Sequence, residues 1–310
     1  MGLISALYRN KFVCRYDREI GIPYHSHFDF KGLKQEEYHF INSRGVDIRY
    51  FYYYYENYNQ DKLILFLHGL GPGHCCYLAE IEQMAKRGYK VLTLDYTGCD
   101  YSGGERLESI NMPTKDTMEL LDLLKIKQPI VLMGHSMGSY TALNLMHIRD
   151  DIDQAVILSG FLSIPIEIKA LLKKNFFVRR ILKYEKKTIP EYYDLNNLEF
   201  LKNTSKKLFF IHSDNDVMVP ISTSFEKVEE LNNPNITCLK VIGRKHNPNY
   251  TDAATKYMDE VFGTYNYLLK KKKIITKQQR IDYFKDVSLD RLVEQDEKIF
   301  DQIDEFIKTK

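Results

Sequence analysis

The segment from Val131 to Gly138 places an apolar run, a serine between two glycines and an amphipathic run directly after one another. Ile130 to Met133 is the short β-branched and apolar stretch expected of a strand buried on both faces, and apolar residues recur at near-helical spacing after Ser136. Only small residues fit two positions before and after a serine on so sharp a turn, and Gly134 and Gly138 occupy those positions. The segment therefore predicts a strand, a strained turn and a helix in immediate succession.

The rest of the chain repeats this alternation. Two tyrosine-rich alternating stretches, Glu37 to Asn42 and Asp47 to Tyr55, predict an antiparallel hairpin at a sheet edge. Further strands are predicted at Leu63 to Leu67, Lys90 to Asp95, Ile130 to Gly134, Gln154 to Ser159, Lys207 to His212 and Thr237 to Ile242. Helical patterns separate most of them, and repeated strand–helix units require right-handed crossovers. The pattern predicts an α/β protein with a mostly parallel sheet and helices on both faces.

The alternation stops between the predicted strands that end at Ser159 and begin at Lys207, where helical periodicity continues without a strand. An interval of this length exceeds a simple connection and predicts an inserted helical cap. Within it, the stretch from Ile166 to Lys187 carries eight basic residues against two glutamates, with apolar residues between them. This pattern is typical of a lid helix with a solvated basic face, and the alternative is a surface that contacts an anionic lipid or an acidic substrate.

Composition excludes several classes of protein. The formal net charge of the 310 residues is +2, so no global field attracts nucleic acid, and we predict no nucleic-acid partner. No apolar run reaches the roughly 20 residues that a membrane-spanning helix needs, and the apolar stretch at the start is too short for a secretory signal. The five cysteines lack metal-ligand spacing and are typical of reduced, packed thiols. We therefore predict a cytoplasmic protein.

The serine on the turn needs further groups before it can react. A serine hydroxyl is a poor nucleophile at neutral pH, so it requires a base near pKa 7 and an acid that fixes the tautomer of that base. Asp214 and Asp216 follow the strand that ends at His212, and His246 follows the last predicted strand. The ends of parallel strands gather at one sheet edge, so these loops meet the loop that carries Ser136.

We accordingly predict Ser136, Asp216 and His246 as a catalytic triad. Asp216 is preferred to Asp214 because it lies farther into its loop, immediately before the run that starts the next element, whereas Asp214 is typical of a residue that caps a turn. Asp214 remains the alternative acid. His135, beside the serine, is expected to line the acyl pocket or only to pack.

A second loop supplies candidates for stabilising negative charge on a substrate oxygen. The sequence His68-Gly69-Leu70-Gly71 follows a predicted buried strand. We predict that the backbone N–H groups of Leu70 and Met137 form an oxyanion hole, with His68 supporting the loop through hydrogen bonds. Met137 opens the helix after the serine, so the positive end of that helix adds to the effect.

These motifs together resemble the serine-hydrolase branch of the α/β-hydrolase superfamily, and specifically the monoacylglycerol lipase, lysophospholipase and serine aminopeptidase-like group. The stretch from Asp95 to Gly104 is similar to the Asp-x-Arg-Gly-x-Gly-x-Ser loop of that group, but Thr97 replaces its Arg and Asp100 replaces a Gly. Because that loop shapes the floor of the pocket, the two departures leave the substrate subgroup open.

The resemblance implies an α/β-hydrolase fold with a short helical cap after the sixth strand. It covers about residues 36 to 270 and divides the chain into an N-terminal extension, 1–35, a hydrolase core, 36–160 and 207–270, a cap, 161–206, and a C-terminal helical extension, 271–310. Within the last part, Ser288 to Ile307 is predicted as one amphipathic helix that packs on its own core or forms a homodimer.

The implied activity is hydrolysis of a carboxylic ester, lipid-like or with a small acyl group, through an acyl-enzyme, with no metal or organic cofactor. Its expected partners are a small-molecule acyl substrate, a transient membrane surface met by the basic cap, and a second copy of the chain. Two alternatives stay open. The same triad serves peptidases, amidases and acyltransferases, and hydrolase scaffolds also occur as noncatalytic binding proteins.

Overall fold

A computed structural model describes residues 3–58, 61–172, 175–193 and 195–309. Eight strands form one sheet in the spatial order β1-β2-β4-β3-β5-β6-β7-β8. The strands are β1 (Lys34–Ile41), β2 (Asp47–Tyr54), β3 (Leu63–Leu67), β4 (Lys90–Leu94), β5 (Ile130–His135), β6 (Gln154–Leu158), β7 (Lys207–Ser213) and β8 (Ile236–Val241). Every predicted strand is present, with ends that shift by up to three residues.

The sheet is mostly parallel, as predicted. β2 pairs antiparallel with β1 and with β4, whereas β3 to β8 pair in parallel. The predicted edge hairpin is confirmed, with Tyr38 opposite Tyr50 and with the turn closed by a hydrogen bond from Asn42 to Val46. All residues of β3, β5 and β6 are buried, because helices cover both faces of the sheet. The predicted α/β-hydrolase fold is confirmed.

The helices in chain order are α1 (Leu3–Lys11), α2 (Leu78–Lys86), α3 (Met112–Leu124), α4 (Met137–Ile148), α5 (Ile164–Leu171), α6 (Asn175–Thr188), α7 (Asn197–Asn203), α8 (Phe225–Glu229), α9 (Asp252–Lys270), α10 (Lys277–Phe284), α11 (Leu289–Leu292) and α12 (Glu297–Lys308). Nearly all of α4 is buried, because it packs on β3, β5 and β6 beneath α3 and α7. The three helices α5 to α7 lie between β6 and β7, and α1 packs on α6.

The prediction of one helix over Ser288 to Ile307 is wrong. The structure has two helices, α11 and α12, because Asp296 accepts a hydrogen bond from the backbone N–H of Lys298 and starts α12, while Gln295 pairs with Tyr250 in an isolated bridge. Apolar residues of α11 join a cluster with α9 and α10, whereas those of α12 pack on the sheet. Of the two roles left open, α12 therefore buries its apolar side on its own core.

The sheet edge that carries the site is fixed by this topology. The carboxyl ends of β3, β5, β7 and β8 lie at one edge, and the loops that follow them converge there. The predicted division at residues 35, 160, 206 and 270 stays a prediction. None of the described helices combines the length and apolar character that crossing a bilayer requires.

Candidate active site

Ser136 sits on the strained turn that the glycine pattern predicts. Its backbone has φ 55° and ψ −117°, outside the range of ordinary helices and strands. A Cβ on Gly134 would lie 2.5 Å from the carbonyl carbon of Gly138, and a Cβ on Gly138 would lie 1.9 Å from the carbonyl oxygen of Leu67. Both glycines are therefore required for β5 to turn directly into α4.

The loop after β7 holds the loop after β8 through four consecutive side chains. Three of these contacts are hydrogen bonds from the backbone N–H groups of residues 243–245: Gly243 to Asp214 Oδ1 at 2.8 Å, Arg244 to Ser213 Oγ at 2.9 Å and Lys245 to Asn215 Oδ1 at 2.8 Å. The fourth joins His246 Nδ1 to Asp216 Oδ2 at 2.8 Å. The position of the imidazole is thus fixed by the whole loop pair and not by Asp216 alone.

Asp216 is buried and accepts hydrogen bonds on both oxygens. Oδ1 accepts from the backbone N–H groups of Met218 and Val219 at 2.8 and 3.0 Å. Oδ2 faces His246 and lies 3.3 Å from Nε2 of His212, which also donates to the carbonyl of Val219 at 2.9 Å. Burial by itself would raise the pKa of Asp216, but the hydrogen bonds from His212 and His246 and the charge of His246 bring it well below its usual range. The carboxyl is therefore ionised at neutral pH.

The structure brings the predicted triad residues to one place, with one contact open. Asp216 and His246 are hydrogen-bonded, and Ser136 and His246 line the same cavity. Within the described parts of the chain, the Ser136 hydroxyl has no hydrogen bond, including none to His246. Asp214, the alternative acid, accepts from the turn at Gly243.

The predicted oxyanion loop lies against the serine. A Cβ on Gly69 would be 3.4 Å from Cβ of Ser136, so the two backbones approach closely. Across the described ranges, neither the N–H of Leu70 nor that of Met137 is paired within the protein, and both residues line the cavity. His68 Nδ1 hydrogen-bonds the Gly69 carbonyl at 2.8 Å, and burial lowers the pKa of His68 to about 4. His68 thus supports the loop as a neutral imidazole.

His135 contacts His246, the candidate general base, directly. Its Nε2 lies 2.8 Å from the carbonyl oxygen of His246, and its Nδ1 lies 3.0 Å from the Tyr77 hydroxyl. A carbonyl oxygen can only accept, so Nε2 carries the proton and Tyr77 donates to Nδ1. Burial and the nearby His246 lower the pKa of His135 to about 3, which keeps the ring neutral. Hydrogen bonds that run from Tyr77 to His135 and on to the carbonyl of His246 thus hold the backbone of His246. The two loops hold its side chain.

A cavity of about 270 Å³ opens over Ser136. We call its two walls the base and the roof. The base consists of residues 68–71, 134–138, 213–219 and 243–246, and the roof consists of α1 with Phe12, α5 and α6. The roof wall is mainly apolar and includes Tyr8, Phe12, Ile164, Glu167, Ile168 and Ile181. Leu70 and Met218 line the cavity and are also exposed, so its mouth lies beside the candidate triad.

Sequence reasoning missed four groups that the structure places at the site. They are Tyr8, Phe12, Glu167 and His212. The apolar spacing of Ile4, Tyr8 and Phe12 could have indicated an amphipathic helix in the N-terminal segment. No local sequence pattern marks Glu167 or His212, because the burial of both side chains depends on distant parts of the chain. Among the described residues, no group of three or more His, Cys, Asp or Glu side chains is arranged to hold a metal ion.

Comparison with known families gives one match over more than half of the chain. A family described as serine aminopeptidase, S33, matches residues 58–231, which include Ser136, Leu70, Met137 and Asp216 but not His246. A stretch of 79 residues is 27% identical to a chloroplastic protein of Arabidopsis thaliana named putative methylesterase 14. That stretch is 25% of this chain and 23% of that protein, so the chain matches only about a quarter of the length of this relative.

Solved structures match over most of the chain at low identity. An esterase of Pyrococcus furiosus is 17% identical, with a TM-score of 0.57, and the match covers 83% of this chain and 96% of that one. Est1E of Butyrivibrio proteoclasticus, solved with ferulic acid bound, is 19% identical with a TM-score of 0.54, and the match covers 76% of this chain and 100% of that one. At these identities the likeness establishes the fold.

Proposed function

The chain belongs to the serine aminopeptidase (S33) family of α/β-hydrolases, and from this premise we propose that it is a serine esterase that cleaves carboxylic esters through an acyl-enzyme. Ser136 is the nucleophile, His246 the general base and acid, and Asp216 the orienting acid. The N–H groups of Leu70 and Met137 form the oxyanion hole. All the groups that the proposal requires belong to the base of the cavity, as side chains or as backbone N–H groups.

The observation that carries the proposal is the 2.8 Å contact between His246 Nδ1 and the ionised Asp216 at the wall that Ser136 also lines. A carboxylate at Nδ1 holds the proton on that nitrogen and leaves Nε2 as the basic atom. Nε2 is the atom that must reach the Ser136 hydroxyl. Catalytic hydrogen bonds commonly tighten only in the substrate complex. The contact between Ser136 Oγ and His246 Nε2 is the one that substrate binding must complete.

Acylation begins when Ser136 Oγ forms a bond to the acyl carbon and its proton passes to Nε2 of His246. The carbonyl electron pair moves to the oxygen, which becomes an oxyanion between the N–H groups of Leu70 and Met137. Asp216 stabilises the imidazolium without taking its proton. When the oxyanion collapses, the bond to the alcohol breaks, and His246 gives the proton to the leaving oxygen.

Deacylation repeats these steps with water in place of the serine. Nε2 of His246 takes a proton from water, the hydroxide adds to the acyl carbon, and the same two N–H groups hold the second oxyanion. Collapse breaks the bond to Ser136 Oγ, which regains its proton from His246, and a carboxylic acid leaves. Removal of one donor from an oxyanion hole typically costs about 3 kcal/mol of activation free energy.

The test is covalent labelling. A fluorophosphonate probe should label the wild-type protein at Ser136, and the protein should hydrolyse p-nitrophenyl esters. Ser136→Ala should abolish labelling and turnover while the circular dichroism spectrum and the melting temperature stay near those of the wild type. Labelling at another residue, or turnover that survives Ser136→Ala, would disprove the assignment.

The family description favours one second candidate, cleavage of an amide bond by the same groups. The acyl-enzyme is the same, but the leaving amine must be protonated before it departs, so the role of His246 as an acid becomes more demanding. Matched p-nitrophenyl esters and aminoacyl p-nitroanilides separate the two functions. Esters should be turned over with a kcat/KM at least a hundredfold higher, and the reverse order would establish the amidase.

Four further predictions concern substrate preference, partners and location. We propose that the cap contacts anionic membrane surfaces transiently, since Lys169, Arg179, Arg180, Lys183 and Lys187 are exposed and Phe176 beside them is 60% exposed. Lys173 and Lys174 of the predicted basic stretch lie outside the described residues. Binding to vesicles with phosphatidylserine, and not to neutral vesicles, is expected. A lysophospholipase-like preference, cytoplasmic location, with all five cysteines free, and a homodimer stay predictions.

A further inference from the structure

Glu167 is a buried carboxyl that the protein leaves without partners. It lies on α5 in the roof, lines the cavity with Ser136 and His246, and is 7% exposed. Neither carboxyl oxygen has a hydrogen bond to any described residue, and both oxygens are buried. A buried polar group left in this state costs about 1–3 kcal/mol, so such groups are rare unless something else satisfies them.

The second buried glutamate of the roof shows what a structural carboxyl looks like in the same region. Glu185 on α6 accepts from the Tyr8 hydroxyl at 2.7 Å, from the Ser109 hydroxyl at 2.5 Å and from the Ile110 N–H at 3.2 Å. Glu167 has no counterpart to any of these donors among the described residues, and its neighbours Ile164 and Ile168 are apolar. The partner of Glu167 must therefore come from the cavity.

The surroundings determine what kind of partner fits. No lysine or arginine in the described chain lines the cavity, and the charge that acts on Glu167 from another element is that of Asp216, which is hydrogen-bonded to His246. Burial, and then repulsion from Asp216, raise the pKa of Glu167 to about 8. The carboxyl is therefore protonated at neutral pH and offers one O–H donor and one carbonyl acceptor.

We propose that Glu167 binds a hydroxyl group of the substrate, and that the preferred esters carry a hydroxyl on the part held in the cavity. The inference rests on the proposed function. A hydroxyl both donates and accepts, so it satisfies a neutral carboxyl with one group. An ammonium group would lie near His246, whose imidazole must become cationic during catalysis, and a neutral hydroxyl avoids that repulsion.

One polar group in an apolar wall also discriminates strongly. A plain alkyl ester would fill the same space but leave the carboxyl unpaired, and sites that hydrogen-bond a hydroxyl reject analogues without one far better than apolar pockets reject a hydroxyl. The expected preference is at least tenfold in kcat/KM, which corresponds to one hydrogen bond in a dry site.

The experiment compares p-nitrophenyl esters of equal chain length with and without a hydroxyl at successive acyl positions, together with esters whose hydroxyl lies on the alcohol. In the wild type, one position should raise kcat/KM at least tenfold over the plain ester. Glu167→Gln keeps a neutral donor and acceptor and should retain most of that ratio. Glu167→Met removes both and should bring the ratio to about one.

Two controls keep the outcome interpretable. Glu199→Gln changes an exposed glutamate of α7 and should leave the ratio unchanged. Equilibrium binding of non-hydrolysable ether analogues, with and without the hydroxyl, measured by calorimetry gives the preference without turnover, so it tests Glu167 even if Ser136 is not the nucleophile. If the fluorophosphonate probe does not label Ser136 in the wild type, that result would count against the proposed function. Equal binding of hydroxylated and plain compounds would count against this inference.

Two results would overturn the role of Glu167. If no hydroxyl position exceeds the plain ester in either binding or turnover, the carboxyl is satisfied by water alone or serves only the packing of α5. If an amine-bearing ester is preferred to its hydroxyl counterpart and Glu167→Gln abolishes that preference, the group acts as an anion and the ligand is a cation.

Discussion

The base and the roof of the cavity are built from different kinds of contact. In the base, consecutive side chains of residues 213–216 each bond a residue of 243–246, and the Ser136 turn is fixed by glycines that approach neighbouring backbone within van der Waals distance. In the roof, α1, α5 and α6 meet the rest of the protein mainly through apolar side chains. Directional bonds fix atoms to within a few tenths of an ångström, whereas apolar packing fixes shape and volume.

This difference separates chemistry from selectivity. In the proposed mechanism, proton transfer between Ser136 and His246 requires precise distances, and the base fixes the loops that carry both residues through contacts to backbone groups. The roof can accept new side chains while its helices stay packed, so substrate preference can change without loss of the reaction. Glu185 is one exception, because it joins α1, α6 and the loop before α3 through three hydrogen bonds and makes the roof partly directional.

The largest effect is expected from Asp216→Asn in the base. The amide would lose the charge that holds the proton on Nδ1 of His246, so the imidazole would present the wrong tautomer to Ser136, and kcat should fall by about 10⁴-fold. Steady-state kinetics with a p-nitrophenyl ester measures this fall. Asp214→Asn is the matched control, because its side-chain carbonyl can still accept from Gly243, and it should stay within about threefold of wild type. A loss below about tenfold in Asp216→Asn would show that another acid serves His246.

The next effect concerns the hydrogen bonds that Glu185 makes in the roof. Glu185→Ala leaves the Tyr8 and Ser109 hydroxyls and the Ile110 N–H without their acceptor, and the free energy of unfolding should fall by about 3 kcal/mol. Urea denaturation measures it. Glu185→Gln preserves most of the contacts and should lose about 1 kcal/mol at most. If both variants are equally unstable, the size of the side chain and not its hydrogen bonds holds the roof.

The same carboxyl predicts a pH dependence with a definite sign. Burial raises the pKa of Glu185 from 4.5 to about 7 in spite of its hydrogen bonds. The unfolded chain therefore ionises first, and the contribution of Glu185 to stability falls as pH rises from about 4.5 to about 7 and is constant above that. The stability difference between wild type and Glu185→Gln should shrink over this window. Parallel curves would show that the carboxyl ionises at the same pH in the folded protein as in the unfolded chain.

A smaller effect tests how the base holds His246. Tyr77→Phe removes the donor to Nδ1 of His135, which frees that ring to rotate and loosens its hold on the His246 backbone, and kcat should fall about tenfold with little change in KM. Tyr53→Phe is the matched control, since the Tyr53 hydroxyl bonds another buried histidine, His74, at 2.9 Å. It should lower stability by a similar amount without changing kcat. Equal losses of kcat would indicate a general loosening of the fold.

The base could be read from the sequence because its rules are local. Gly134, Ser136 and Gly138 are set by the sterics of one turn, and the loops of Asp216 and His246 are placed by the rule that parallel strands end at one edge. The preference for Asp216 over Asp214 rested on loop position, and in the structure Asp216 is the one bonded to His246. Whether these residues act as the triad stays a prediction.

The roof could not be read in the same way. Glu167 and Glu185 fell within a stretch interpreted as a solvated basic face, but both are buried. Glu185 is hydrogen-bonded to Tyr8, which lies 177 positions away in sequence. A local pattern of polar and apolar residues cannot predict a contact at that separation. The prediction of a single helix over Ser288 to Ile307 is wrong for a related reason. The apolar residues of this stretch pack in two different clusters, which the sequence pattern does not distinguish.

The smallest effect is expected where the roof is purely apolar. Phe12, after the end of α1, lines the cavity, and Phe12→Ala should withdraw about 30 Å² of contact from a long acyl chain, which at ~25 cal/mol per Å² amounts to about 0.7 kcal/mol and a threefold rise in KM. Short esters should keep their KM, and kcat should not change for any ester, because the base is untouched. Leu7→Ala is the matched control on α1, the helix that ends just before Phe12, since Leu7 is 58% exposed and does not line the cavity. A fall in kcat for short esters in Phe12→Ala would show that the roof does set the geometry of the base, and the separation of chemistry from selectivity would have to be given up.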